Sequence, residues 1–180
     1  MKGKYGSLIR DLLFFTISTF VPKAISFFLV PLYTNCLTTA EYGIADLLST
    51  TVSLAIPFLT LDINDAVLRF TIENKEDERP FQIAIKIALK GAIIIGLISI
   101  INCAIDILKI DNQLMIFFFL NYISVSLYGI GIAYLRATDQ VELLSLVSIL
   151  ITLITVLSNI FFLVILHCGL IGYMISGVLG

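Results

Sequence analysis

With one histidine, three cysteines and no tryptophan, this 180-residue sequence holds few of the side chains from which metal centres and catalytic sites are assembled. Cys36, Cys103 and Cys168 stand singly, so the paired spacings of zinc and haem motifs are absent. They read as small apolar fillers of helices. Charge is scarce too, at 13% of residues with a net of -2. No basic stripe with interleaved aromatics is present, which argues against nucleic acid as a partner. The single histidine, His167, ends an apolar run and has no acid–base company nearby. Neither an enzyme nor a metal or cofactor site is expected.

What fills the chain is apolar. Hydrophobic residues make up 59% of it, against close to half in soluble domains. They gather into runs near the ~20 residues that cross a bilayer as a helix. The predicted fold is therefore all-α, a polytopic transmembrane helix bundle. Helices are expected at about 12–36, 39–61, 83–107, 114–135, 143–166 and 168–180, with a polar cytoplasmic segment over 62–80. The last helix is still running where the sequence stops, so the chain is expected to be a fragment or one half of something longer. The start, MKGKYGSLIRD, is basic, but the apolar run after it is too long for a signal-peptide core. Thr38 and Glu41 form the Thr-x-x-Glu pattern of a capping box, so the second helix should begin near Thr39. Pro80 suits the first turn of the third.

Lys and Arg in the short loops set orientation. Lys2, Lys4, Arg10, Arg69, Lys75, Arg79 and Arg136 fall on one side, with Lys86 and Lys90 near the same face; Lys109 falls on the other. The N-terminus and the 62–80 segment are then cytoplasmic.

Within the first run one residue is out of place. Lys23 follows Pro22 near its middle, where a lipid-facing lysine costs from a few to more than ten kcal/mol. Residues three and four apart share a helix face, and Thr16, Thr19, Lys23 and Ser26 follow steps of three, four and three. The second helix carries its own stripe of Asp46, Ser49, Thr50, Ser53, Pro57 and Thr60, continued by Asn64. Two polar lines on successive helices point to an aqueous cavity. The bland readings are snorkelling of Lys23 to the interface, an ion pair of Lys23 with Asp46, and plain helix packing. Packing is the reading for Ser145, Ser148, Thr152, Thr155 and Asn159 on the fifth helix, which include no charge, and for Gly172, Ser176 and Gly180 on the sixth.

In INDAVLRFTIE, Ile63, Val67 and Phe70 recur at steps of four and three, which predicts a short amphipathic helix at the interface. Asp65, Arg69 and Glu73 lie four apart on its other side, so intrahelical ion pairs compete for Arg69. The functional alternative joins Arg69 with Lys86, Lys90 and Arg10 in a cationic mouth for a phosphorylated lipid headgroup. ENKEDER, dense in both signs, reads as a solvated turn.

The stretch FFLVPLYTNCLTTAEYGIADLLS, followed by LDINDAVLRF, resembles the start of the bacterial polysaccharide flippases, the Wzx-type exporters of the MATE-like (MOP) transporter superfamily. The matching features are Pro31 to Thr34, Glu41 to Gly43, and Arg69 with Phe70. The resemblance spans roughly the first 70 residues. It implies a fold of two six-helix bundles around a cleft, of which this chain would hold the N-terminal lobe and lack the C-terminal one. It also implies the cargo, an undecaprenyl-pyrophosphate-linked oligosaccharide turned across the cytoplasmic membrane for O-antigen, capsule or exopolysaccharide synthesis, with a polysaccharide polymerase as a possible partner. On this reading the cavity is lined by Lys23, Thr16, Thr19, Ser26, Asp46, Ser49, Ser53 and Thr60. A MATE-type cation-coupled multidrug antiporter is the first alternative, but it would want a carboxylate where this sequence has a lysine. A membrane enzyme of polysaccharide assembly, a polymerase or ligase, is the second; it would need a larger outer loop carrying catalytic groups.

Overall fold

The computed structural model describes residues 2–105 and 111–180, with the backbone alone for residues 2–8 and 11. Lys109, assigned above to the far side, lies outside the described residues. Among them every regular element is helical.

Helix α1 (Lys2–Cys36) begins well before its apolar run, the polar start containing no proline. Pro22 and Pro31 both lie inside it. Side chains one turn on supply hydrogen bonds beside them: Ser26 Oγ donates to the Pro22 carbonyl at 2.9 Å and Asn35 Nδ2 to that of Pro31 at 2.8 Å. The capping box then forms. Thr38 N–H donates to Glu41 Oε2 at 2.9 Å and Glu41 N–H to Thr38 Oγ1 at 3.3 Å, and α2 (Thr39–Thr60) starts there.

Leu61 and Asp62, with φ of 51° and 52°, turn the chain into α3 (Ile63–Glu73), the amphipathic helix the spacing predicts. Next come α4 (Arg79–Ile105), α5 (Asn112–Ala137) and α6 (Val141–Asn159), which continues as a π-helical stretch, Ile160–Ile165. Helix α7 is Gly169–Leu179. Pro80 does occupy the first turn of α4, which therefore begins at 79 rather than 83; residue 107, its expected end, lies outside the described residues. The fifth run is not one uniform α-helix as expected. An evenly apolar run such as IFFLVI carries no signal that separates α from π winding.

Among the described residues, five segments have the length and composition to cross a membrane: Leu12–Cys36, α2, α4, α5 and Val141–Ile165. At 1.5 Å per residue the 22 residues of α2 reach about 33 Å, against a hydrocarbon core of about 30 Å. The protein is a multi-pass membrane protein.

The chain forms two compact units. The first comprises Met1–Tyr42 and Asp139–Gly180. In it α1 packs along α6, and α6 packs against α7. Ser145, Ser148, Thr152 and Asn159 are buried on α6, as are Gly172 and Ser176 on α7. A Cβ on Gly172 would come within 3.0 Å of Phe162 Cβ, and one on Gly180 would overlap Thr155. Small side chains are what let these helices approach. Tyr33 packs with Tyr42 and Tyr173, at ring-centroid distances of 6.4 and 4.8 Å.

The second unit, Gly43–Thr138, holds most of α2 together with α3, α4 and α5. One core cluster joins Val67 of α3, Ala84 and Ala88 of α4, and Ile130 and Ala133 of α5. The other joins Val52 of α2, Ala92 and Ile95 of α4, and Tyr122 of α5. Gly91 makes room for the Tyr122 hydroxyl, which donates to the Ala88 carbonyl at 3.5 Å.

Candidate functional site: a polar face on α1 and on α2

Helical residues advance by roughly 100° each, so the burial pattern resolves α1 into three faces. One carries Ser18 and Leu29, 7% and 8% exposed, with the half-buried Phe14, Val21 and Ile25. A second carries Leu13, Ile17, Phe20 and Phe28, exposed and wholly apolar, as a lipid-facing surface should be. Thr16, Thr19, Lys23 and Ser26 share the third, all exposed, in line with Leu12 and Val30 at its two ends.

Helix α2 repeats the arrangement. Ala45 and Val52, 2% and 1% exposed, mark its packed face. Leu47, Leu54 and Phe58 form an exposed, largely apolar face, on which Thr51 donates its hydroxyl to the Leu47 carbonyl at 2.7 Å. Asp46, Ser49, Thr50, Ser53 and Pro57 form an exposed polar one. Thr60 departs from expectation: it is 2% exposed, and its hydroxyl is committed to the Ile56 carbonyl at 2.7 Å. The α2 stripe ends at Pro57, since the turn at Leu61 and Asp62 puts Asn64 on α3 instead.

Hydroxyls alone do not show that these faces are wet. Thr16, Thr19, Ser26 and Ser53 each donate to the carbonyl four residues back, at 2.8 to 2.9 Å. A hydroxyl satisfied in this way can rest against lipid. It keeps its lone pairs, so it still accepts hydrogen bonds.

Lys23 is different. Its ammonium has three donors and no acceptor, and among the described residues it carries no ion pair. It lies 11 residues from Leu12 and 13 from Cys36, about 16 and 20 Å from either end of the apolar run. A lysine stem of roughly 6 Å does not span that distance. Asp46, also without an ion pair among the described residues, is the eighth residue of α2. It sits only about 10 Å from that helix's start, nearer to water. Lys23 belongs to the first unit and Asp46 to the second, so each polar face lies within its own unit.

The four cations expected at a common mouth have different surroundings. Arg10 pairs with Glu142 of α6 at 3.3 Å, both about 60% exposed, a pair worth at most about 1 kcal/mol. Arg69 is exposed and forms no ion pair with Asp65 or Glu73, so the predicted intrahelical pairing is not present. Lys86 and Lys90 point away from the buried Ala84 and Ala88 of their own helix. A groove does run between α3 and the start of α4, but Arg69, Lys86 and Lys90 do not line it. It was missed because ENKEDER looks like solvent-exposed sequence. The available signal was its position directly after an amphipathic helix. No group of three or more potential metal ligands occurs among the described residues.

Comparison with known proteins yields no match: no family model, no curated protein and no solved structure matches the chain.

Proposed function

We propose that this protein flips an undecaprenyl-pyrophosphate-linked oligosaccharide across the bacterial cytoplasmic membrane, with its N-terminus in the cytoplasm. The observation that carries the reading is Lys23: a cation midway along a membrane-length helix, exposed on a polar face and without an ion pair among the described residues. A deep cation favours an anionic cargo over the cationic drugs of a multidrug antiporter. At 4 Å a unit charge pair is worth about 1 kcal/mol in water but about 4 kcal/mol at an intermediate dielectric, so the site strengthens as water leaves it. The Ser and Thr hydroxyls of both polar faces offer acceptors to sugar hydroxyls without a fixed pattern, as a translocation path requires. The motif resemblance over the first 70 residues supports this cargo class, and with it a second bundle against which the first would rock. Five alternating spans would gather Arg10, Arg69, Lys75, Arg79 and Arg136 on one side, which supports a cytoplasmic N-terminus.

The test is the leaflet in which lipid-linked oligosaccharide accumulates in cells carrying Lys23→Ala. Accumulation facing the cytoplasm, with normal membrane insertion of the variant and partial rescue by Lys23→Arg, is the expected result. Full transport by Lys23→Ala would overturn the reading.

A further inference from the structure

The groove between α3 and α4 is an open trough of about 480 Å³, inside the roughly 300–1,000 Å³ range of small-molecule sites. Its floor is apolar, formed by Ile63, Val67 and Phe70 of α3 with Ile83 of α4. Its rim is charged, formed by Glu73, Asn74, Asp77 and Arg79. An apolar trough with a rim of both signs, in the polar segment between two membrane-length helices, matches a molecule that is itself apolar at one end and zwitterionic at the other.

The rim groups are poised for such a ligand. Glu73 is exposed and forms no ion pair among the described residues. Asp77 Oδ1 accepts from the Arg79 N–H at 3.0 Å, which leaves its other oxygen for a donor. The Arg79 guanidinium, 86% exposed, meets Asp77 only at 3.8 Å, too long to satisfy it. The first turn of α4 adds the positive end of a 27-residue helix beside Arg79.

We propose that the groove binds a phospholipid whose headgroup ends in a primary amine. The ammonium sits on Glu73 and Asp77, the phosphate on Arg79, and an acyl chain lies over the floor. Two features set the selectivity. A primary ammonium has three N–H donors for the carboxylates, whereas a trimethylammonium has none. The rim carries two carboxylates against one guanidinium, a balance that disfavours a net-anionic headgroup. This inference rests on the membrane assignment and is independent of the transported cargo.

The experiment is native mass spectrometry of the detergent-purified protein with phosphatidylethanolamine, phosphatidylcholine and phosphatidylglycerol of identical acyl chains. Charge-assisted hydrogen bonds predict that phosphatidylethanolamine is retained about fivefold or more over phosphatidylcholine, with phosphatidylglycerol weakest. Glu73→Gln combined with Asp77→Asn should bring the first ratio close to one, and Arg79→Gln should weaken both zwitterions together. Retention of phosphatidylglycerol equal to that of phosphatidylethanolamine overturns the proposal. So does retention of none of the three, or an unchanged ratio in the double variant. The wild-type selectivity needs no substitution, so misfolding of a variant does not hide the answer.

Discussion

Helices α1 and α6 both carry a line of hydroxyl side chains at helical spacing, and the two lines meet opposite fates. Ser145, Ser148 and Thr152 of α6 are at most 9% exposed, closed in a packed unit in which the hydroxyl-bearing helix meets α1 and α7. Thr16, Thr19 and Ser26 of α1 are exposed, although their helix is the one that packs along α6. Hydroxyl content and periodicity are much the same. What differs is the company: the α6 line is buried in a packed unit and holds no charge, while the α1 line contains Lys23. Hydroxyls can donate a hydrogen bond to the backbone and disappear into a helix contact. An ammonium ion has no such escape, and it marks the face that needs water or an anion.

Putting a charge on each line is the harshest way to break this comparison. Ser148→Lys should cost about 3 kcal/mol or more, as an unpaired cation in a packed contact does, and folded yield in detergent should collapse. Ser26→Lys on the α1 face should leave the folded yield near wild type. Removing the natural charge comes next. Lys23→Ala should lower transport at least about tenfold, or 1.4 kcal/mol, with the melting temperature in detergent nearly unchanged. Smaller still, Thr152→Val should destabilise by about 0.5–1.5 kcal/mol through the loss of the buried hydrogen bond that Thr152 donates to the Ser148 carbonyl at 2.7 Å. Thr16→Val, on the exposed face, should change stability by less than about 0.5 kcal/mol; paired denaturation curves in one detergent would separate the two.

Most of the scaffold was legible from the residues because its signals are local. Apolar run length predicts the spans, Thr38 with Glu41 predicts the start of α2, and Ile63, Val67 and Phe70 predict α3. What stayed hidden depends on neighbours. Thr60 belongs to the α2 polar line by spacing, yet it is buried and bonded to its own helix. Arg10 reads as a free basic residue until α6 brings Glu142 beside it. Arg69 has two acids at helical spacing and pairs with neither, since exposed side chains gain little from such contacts. The α3–α4 groove exists only once two helices from either side of a charged turn are set together.

The central claim is that the polar faces of α1 and α2 are wet while the adjacent apolar faces lie in lipid. Cysteine accessibility in intact membranes tests it directly, after Cys36, Cys103 and Cys168 are replaced by alanine. A membrane-impermeant thiol reagent should label Thr19→Cys and Ser53→Cys, and should leave Phe20→Cys and Leu54→Cys unmodified. Equal labelling within each helix, or protection of all four positions, would contradict the account.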